Sequence, residues 1–339
     1  MVKEIFDVSG TQTGFTFNAD LSPYDMPANM FSSIQNVRFN DKQAGSIEGH
    51  SASLGTPTQT PYWTTSWKQS STDLWVYGGV TALYKITGTT HAAVTRSSGA
   101  YTTLANTEKN WQGDALGGVL VVNNGIDIPQ SLLQAGSVFT DLAHWPSTLR
   151  CQVIVPFKNH TVGGTKGHLL NAIPLGNDLM VYKEDSIYSL TYTGGTFSFN
   201  LRERFKDIGL FARDAVVQIG NNEHVLVSAN DVVKHNGSTM VSVIDDQVRT
   251  YLFSQIDSTY AYKTFLVHNK VKNEVWICYP KTNAVGGYPD EALIWNYRDN
   301  TWSKRDLPGV NFIAKGVVNP ALANTWASAS TTWAADTSY

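Results

Sequence analysis

The sequences DLMVYKEDSIYSLTY (178–192) and HVLVSANDVVKHNG (224–237) decide the fold. In each of them an apolar run meets a short polar turn, at Lys183–Asp185 and at Ser228–Asp231, and a second apolar run follows. β-Branched and aromatic residues on both sides of turn formers predict a β-hairpin. The two hairpins begin 46 residues apart. Because hairpins repeated at intervals of about 40–50 residues are typical of propeller blades, this stretch predicts a β-propeller.

The same hairpin pattern occurs three more times, beginning with DLWVYGG (73–79), GGVLVVNNG (117–125) and EVWICYP (274–280). One interval is longer than the others because it contains the Gly-rich segment KNHTVGGTKGH (158–168), which we interpret as a loop insertion. Five copies are visible, and a sixth would have to use the chain ends. The sequence therefore predicts an all-β fold, a β-propeller with loop insertions and with six blades preferred to seven. Pairing of the N- and C-terminal segments would close the ring.

Three regions follow from this pattern. Residues 1–33 are predicted to form an N-terminal arm, because the segment is irregular and contains Pro23 and Pro27. Residues 34–318 are assigned to the propeller, with an outer hairpin at 34–47 and a short helix within 241–253. Residues 319–339 form a C-terminal segment that either closes the last blade or continues into further chain.

Composition narrows the class of protein. Charged residues make up 16% of the chain, below the roughly 25% of average soluble domains, and this favours sheets over solvated helices. We expect no membrane-spanning segment and no secretory signal, because long apolar windows are absent from the sequence. Cys151 and Cys278 lie in apolar strand-like runs and are predicted to be buried free thiols. A net charge of −3 argues against tight nucleic-acid binding as the main task.

Motifs that carry chemistry are weak. The segment 158–168 resembles a phosphate-binding loop only in its glycines, because Lys166 precedes Gly167 and no Ser or Thr follows in place. Four histidines are scattered without the spacing of a zinc site, namely His160, His168, His224 and His235. We therefore predict no metal and no cofactor.

Acidic, serine and tryptophan residues are interpreted in the same way. The acidic pairs fall in turns and are predicted to be solvated, namely Glu184-Asp185, Asp245-Asp246 and Asp290-Glu291. Ser186, Ser228 and Ser254 lack the pattern of a nucleophile elbow. Trp75, Trp276 and Trp295 lie in the repeated strands, so we assign them to packing between blades rather than to a sugar-stacking surface. The sequence assigns no catalytic, cofactor-binding or metal-binding residue, and we expect no enzyme activity.

Three groups of segments resemble the nozzle proteins of short-tailed bacteriophages. The first is NNGIDIPQSL (123–132) with LAHWP (142–146). The second is DLMVYKEDSIYSLTYTGG (178–195) with FKDIGLFARDAV (205–216) and DVVKHNG (231–237). The third is ALIWNYRDNTWSKRDLPG (292–309). The resemblance covers most of residues 34–318 and is one of order and spacing.

The resemblance implies a structural virion protein without enzyme activity. It implies a propeller subunit, six of which form a ring below the portal and the adaptor, extend the DNA channel and conduct genome ejection. The partners would be the tail adaptor ring, tail fibres or a spike or plug, and genomic DNA that passes without sequence-specific binding. The location would be the phage tail, with assembly in the host cytoplasm.

Charge composition suggests the character of the lumen. With 25 Lys and Arg against 28 Asp and Glu, and with the basic residues dispersed, we expect a neutral to acidic lumen that does not grip the duplex. Two alternatives stay open at this point. One is a carbohydrate-binding or carbohydrate-cleaving propeller that recognises a receptor, and the other is a β-sandwich, whose hairpins recur at shorter intervals.

Overall fold

The computed structural model describes residues 15–50, 53–70, 72–103, 111–157, 160–164, 169–194, 199–244 and 247–316, with only the backbone described in 160–164. Four predictions fall partly or wholly outside these residues: most of the Gly-rich segment 158–168, the pair Asp245-Asp246, the start of the N-terminal arm and the whole of 319–339. Nearly all regular structure in the described part is β-strand, so the predicted all-β class is confirmed.

The N-terminal region contributes four short strands. They are β1 (Thr16–Phe17), β2 (Met30–Phe31), β3 (Val37–Asn40) and β4 (Gln43–Ser46). The first two pair in parallel, and the other two form the predicted outer hairpin. The turn of this hairpin is Asp41-Lys42, with φ of 49° and 62°. Two successive positive φ angles are the geometry of a type I′ turn, whose twist matches that of paired strands.

Four-stranded antiparallel sheets then follow along the chain, and they are the blades of a propeller. The first blade is β5 (Trp63–Gln69), β6 (Thr72–Gly78), β7 (Leu83–Thr87) and β8 (Thr90–Ala93). The second is β9 (Gln112–Leu116), β10 (Val119–Asn123), β11 (Gln130–Leu132) and β12 (Thr140–Asp141). Between the second and third blades lies a separate hairpin of β13 (Val153–Phe157) and β14 (His160–Gly164).

Three further blades complete the set. The third is β15 (Leu169–Leu175), β16 (Asp178–Lys183), β17 (Ser186–Tyr192) and β18 (Phe199–Lys206). The fourth is β19 (Val216–Ile219), β20 (Glu223–Val227), β21 (Val232–His235) and β22 (Met240–Ser242). The fifth is β23 (Phe265–Asn269), β24 (Glu274–Tyr279), β25 (Glu291–Asn296) and β26 (Thr301–Asp306). A helix α1 (Arg249–Gln255) and short 3₁₀ helices (Ala261–Lys263 and Val285–Gly287) lie around the fifth blade.

The β-propeller prediction is confirmed, but the preferred number of six blades is wrong for the described residues, which form five. We call the strands of each blade A to D in chain order. The five A strands and β13 contact one another in the order β5, β9, β13, β15, β19 and β23. The repeated hairpin that marks the sequence is strands B and C of each blade. The predicted outer hairpin does not supply a sixth blade, because β3 joins the outer edge of β26 and extends the sheet of the fifth blade to six strands.

The hairpin β13–β14 corrects a second expectation. The Gly-rich segment 158–168 is predicted to be a loop insertion, whereas its residues 160–164 pair with strand β13, with Val153 opposite Gly164. Strand β13 packs between β9 and β15, and its side chains Val153, Val155 and Phe157 are buried against Leu179 of the third blade. This hairpin therefore fills the gap between two blades without forming a full blade.

The core lies in layers between neighbouring blades. The apolar runs of the repeated hairpins predict seven core residues, and six of them are buried: Leu179, Ile187, Val225, Val227, Val275 and Ile277. The seventh, Val181, is half-buried and packs at the rim of the layer between β13 and the third blade. The two cysteines are free and buried, as predicted.

The seam between the fifth and first blades is covered by the segment 307–316. Phe312 packs against the core of the first two blades, and its ring lies 5.9 Å from that of Phe265 on the fifth blade. Asn311 Nδ2 donates to Pro61 O at 3.0 Å, and Ser66 Oγ donates to Lys315 O at 2.9 Å. The chain after the last strand therefore joins the ends of the ring.

The predicted short helix is confirmed as α1, although it is not only a surface feature, because Leu252 and the preceding Val248 are fully buried. The helix has seven residues, whereas a helix needs about 20 residues to cross a bilayer. Across the described part of the chain, no helix is long and apolar enough to span a membrane.

Candidate functional site

A polar cavity of about 190 Å³ opens between the third and fourth blades, and we call it the interblade pocket. It lies where the A–B turns of both blades and the C–D turn of the fourth blade meet. These turns contribute Gly176 and Asn177, then Asn222, and then residues 236–238. Successive turns of an antiparallel sheet alternate between its two ends, so the A–B and C–D turns lie at the same end of a blade. The pocket is therefore built by turns rather than by strands.

Two charged side chains of the third blade line one wall of the interblade pocket. Asp178 Oδ1 accepts a hydrogen bond from Thr191 Oγ1 at 2.8 Å, and Asp178 Oδ2 lies 3.6 Å from Arg204 Nη2. Arg204 Nε donates to Ser189 Oγ at 2.8 Å, and Ser189 is fully buried. These contacts hold both groups in place while their side chains stay nearly a third exposed, at 28% and 29%.

The floor of the interblade pocket is apolar. It is formed by Leu175, Met180 and Gly237, all of them buried. Gly237 has a φ of +83°, and a Cβ placed there would lie 3.1 Å from Leu175 Cδ2. A residue with a side chain would therefore be strained in this turn and would fill the floor.

Beneath this floor runs a buried chain of three polar side chains. Tyr182 Oη lies 2.5 Å from His224 Nδ1 and 2.8 Å from His235 Nε2. His224 Nε2 donates to Pro174 O at 3.0 Å, and His235 Nδ1 accepts from the backbone N–H of Gly237 at 3.1 Å. These partners fix the tautomers, because His235 must donate to Tyr182 and Tyr182 must donate to His224.

Both histidines are neutral at pH 7. Burial lowers the pKa of His224 to about 4. Burial is the main cause, and repulsion from a protonated His224 the second, that lowers the pKa of His235 to about 3. The chain therefore works as a hydrogen-bonded joint between the third and fourth blades and ends at the backbone of the interblade pocket.

A second buried polar cluster surrounds the carboxylate of Glu291 in the fifth blade. Glu291 is 2% exposed and accepts hydrogen bonds at Oε1 from the hydroxyls of Tyr251 and Tyr279. Lys281 Nζ donates to Glu291 Oε2 at 3.3 Å, and Lys304 Nζ lies 3.9 Å from the same oxygen. Burial on its own would lower the pKa of Lys281, but the charge and hydrogen bond of Glu291, with the charges of Asp290 and Asp306, together raise this pKa above its ordinary value.

The prediction of solvated acidic pairs is wrong for Glu291, since this residue is the first of strand β25 and is buried. The D–A connection of the fourth blade, which contains α1 and Tyr251, thus binds the start of strand C of the fifth blade. Asp127 has the same role between the first two blades, where its carboxylate accepts from Arg96 and Thr102. Glu184 and Asp185 are exposed, as predicted.

One lysine is enclosed by aromatic rings. Lys263 is 3% exposed, and its Nζ lies 4.4 Å from the ring centre of Tyr288, 5.0 Å from that of Tyr260 and 5.8 Å from that of Tyr262. Its ammonium also donates to Gly286 O at 3.3 Å. Such cages bind cations through the negative faces of the rings, and here the chain's own lysine occupies the cage.

The structure places the remaining sequence candidates apart from one another. Ser186 and Ser228 are buried, the first at the start of strand C of the third blade and the second in the B–C turn of the fourth, and Ser254 is in α1. Of the tryptophans assigned to packing, Trp295 is buried in the core, whereas Trp75 and Trp276 are half-buried. Within the described residues, no group of three His, Cys, Asp or Glu side chains is arranged to hold a metal ion.

Sequence reasoning missed the histidine pair and the interblade pocket, although both left a signal. Pairing the hairpin about its turn at 228–231 puts His224 opposite His235, so these two are not scattered. The A–B turns of successive blades also share a Gly-Asn pair, at Gly176-Asn177 and Gly220-Asn221, and both glycines have positive φ.

No protein-family model and no curated protein matches the sequence. Solved structures do match, at low identity. They include the extracellular domain of the one component system BT4673 from B. thetaiotaomicron (9% identity, 76% of this chain, 30% of that chain, TM-score 0.39). Another is the computationally designed protein Ika8 (12% identity, 77% of this chain, 92% of that chain, TM-score 0.45). A third is PorZ, a surface component of the type-IX secretion system of Porphyromonas gingivalis (10% identity, 78% of this chain, 35% of that chain, TM-score 0.42).

The chain spans only about a third of the length of the two natural proteins. At these TM-scores the propeller assignment rests on the strand pairing of this chain itself.

Proposed function

We propose that this chain is a structural subunit of the tail nozzle of a short-tailed bacteriophage. In this proposal it forms a homohexameric ring that extends the DNA channel below the portal and adaptor. The observation that carries the proposal is the position of the three resembling segment groups. They fall in order on the second blade, on the third and fourth blades, and on strands C and D of the fifth blade. The resemblance therefore follows the repeat of the fold and not one local motif.

An exposed sheet edge supports the assembly role. Strand β4 is the last strand of the six-stranded fifth sheet, and all four of its residues, Gln43–Ser46, are exposed. None of them is charged or proline, although charges and prolines are the usual means of preventing strands from pairing at an edge. The backbone groups along this edge are available to pair with a neighbouring subunit.

The contacts between blades support a rigid role. Glu291, Asp127 and the chain of Tyr182, His224 and His235 each join one blade or its connection to the next. A subunit that keeps a channel open needs a fixed shape, and buried hydrogen-bonded groups favour one arrangement because leaving any of them unpaired is unfavourable.

The proposal is tested on assembled particles, because the isolated chain can stay monomeric until an adaptor templates the ring. Tailed particles from infected cells are labelled with an antibody against this chain and imaged by electron microscopy. We expect label at the tail tip and six copies per tail. Label on the capsid or on fibres, or absence of the chain from purified particles, contradicts the proposal.

The conduit mechanism has a separate test, since a channel must let DNA slide. A filter-binding titration with duplex DNA at about 150 mM salt is expected to give no binding at micromolar concentration. Micromolar or tighter binding with a steep dependence on salt would mean that the protein grips the phosphate backbone. That result would contradict the conduit mechanism, whereas the proposed location in the tail would not be affected.

The second candidate function is a carbohydrate-binding propeller. The specific observation that favours it is the interblade pocket, with its apolar floor and polar wall. Binding of a sugar without turnover is compatible with either function, so the antibody experiment on particles separates the two.

A further inference from the structure

The interblade pocket has the amphipathic character of a site for a small polyhydroxylated ring. Its floor of Leu175, Met180 and Gly237 is apolar and buried. Its wall carries a carboxylate and a guanidinium held 3.6 Å apart, at Asp178 and Arg204. A sugar ring has the matching surfaces, with C–H groups on a face and hydroxyl groups around the edge.

The polar groups have capacity left for a ligand. A carboxylate offers about four lone-pair positions and a guanidinium five N–H donors, and the contacts with Thr191 and Ser189 use only some of them. Asn236 Oδ1 already accepts from the backbone N–H groups of Ser238 and Thr239 at 2.9 and 2.8 Å. Its amide N–H₂ is thereby left as the donor to a ligand.

Asn222 of the fourth blade contributes an amide side chain to the pocket opposite the third blade. Its Oδ1 lies 3.1 Å from the position that a Cβ on Gly176 would occupy, so the side chain folds over the glycine at the mouth of the pocket. Glycine at 176 therefore permits the close approach of the two turns. A ligand in this position would contact both the third and the fourth blade.

The size and the charge of the pocket limit the class of ligand that it can bind. A volume of about 190 Å³ is below the roughly 300–1,000 Å³ of drug-sized sites, so it accommodates one sugar ring and not a nucleotide or an oligosaccharide. The charges of Asp178 and Arg204 compensate each other, so the pocket has no excess positive charge that would favour a phosphate or another polyanion. We infer that the interblade pocket binds a single neutral pyranose, presented by a glycan as a terminal residue. This inference rests on the second candidate function, carbohydrate binding, and not on the nozzle proposal.

The experiment uses the full chain, labelled with ¹⁵N, and methyl glycosides of glucose, galactose, mannose and N-acetylglucosamine as probes. Each is titrated to about 50 mM, because a single ring with few contacts is expected to bind with a millimolar Kd. We expect one or more glycosides to shift the amide signals of Gly176, Asn222 and Gly237 selectively. If every glycoside leaves these signals unchanged, the inference is wrong.

Variants then locate the site. Asn222→Ala and Arg204→Met are each expected to weaken binding about tenfold, since each removes a hydrogen-bonding group at the ligand. Asn221→Ala is the matched control, because Asn221 is exposed in the same turn but does not line the pocket. Equal loss in Asn221→Ala and Asn222→Ala, or unchanged binding in Arg204→Met, overturns the assignment. Asn222 lies in an exposed turn, so this variant keeps the test valid even if Arg204→Met does not fold.

Discussion

The buried histidines make the joint between the third and fourth blades sensitive to acid. The pKa of His224 is lowered to about 4 and that of His235 to about 3, mainly by burial, whereas both titrate near 6.5 in an unfolded chain. Below pH 6.5 the two histidines therefore bind protons in the unfolded state but stay neutral in the folded state. The stability that the neutral pair contributes is present above pH 6.5 and is lost as the pH falls through the folded pKa values.

We accordingly predict that the free energy of unfolding decreases between pH 6.5 and pH 4, as measured by urea unfolding at a series of pH values. The double variant His224→Gln, His235→Gln is expected to be less stable at pH 7 but to lose less stability over this interval. Carboxylates contribute a similar slope in both proteins, so the difference between the two curves isolates the histidines. Parallel curves for the two proteins would show that the histidines do not carry the effect.

Single core residues between blades are expected to matter for stability. Val225 and Ile277 are fully buried, and truncation to alanine leaves a cavity in a layer that neighbouring side chains cannot close. Val225→Ala and Ile277→Ala are each expected to cost about 2–4 kcal/mol of unfolding free energy. Val241→Ala is the control, because Val241 is 59% exposed on an outer strand. An unchanged thermal midpoint in both core variants contradicts this prediction.

The N-terminal hairpin β3–β4 is attached to the fifth blade by two arginine–carboxylate pairs of different character. Arg38 donates to Glu274, which is fully buried and also accepts from Trp276 Nε1 at 2.9 Å. Arg298 and Asp41 form the second pair at 3.7 Å, with both side chains more than half exposed. Removing Arg38 would leave the buried Glu274 carboxylate without its paired cation, whereas the second pair is exposed to solvent, which screens its charges.

We predict that Arg38→Met destabilises the protein by about 3–5 kcal/mol, because the buried Glu274 carboxylate loses the arginine with which it is paired. Arg298→Met is the matched control and is expected to change stability by less than about 1 kcal/mol. Hydrogen exchange measured by mass spectrometry should show faster exchange in residues 37–46 of Arg38→Met only. Equal protection of this hairpin in both variants would mean that strand pairing with β26 alone holds it.

The proposed ring depends on a surface that the isolated chain leaves open. The edge of β4 lacks the charges that commonly block pairing between molecules. Ala44→Lys is therefore expected to prevent ring formation in assembled particles, while monomer stability changes by no more than about 0.5 kcal/mol. Incorporation of the variant into tails is measured by mass spectrometry of purified particles. Normal incorporation would exclude this edge as the subunit contact, although not the nozzle location.

Much of the blade architecture was available from the sequence. Hairpins at 178–192, 224–237 and 274–297 could be recognised because apolar runs with β-branched residues enclose short polar turns, and these signals are local. Their recurrence at about 45–60 residues indicated a propeller, because a blade cannot bury its faces alone. The core residues Val225 and Ile277 followed from the same alternation.

The number of blades and the candidate site were decided by tertiary structure. The hairpin β3–β4 has the same local pattern whether it starts a blade or extends one, and only its pairing with β26 makes it the edge of the fifth. The interblade pocket joins Asp178, Arg204 and Asn222 from three separate elements, and the buried Glu291 accepts a hydrogen bond from Tyr251 of α1, which lies 40 residues earlier in the chain. Local sequence specifies strands and turns, whereas contacts between distant residues depend on how the blades pack, and no short-range pattern encodes that packing.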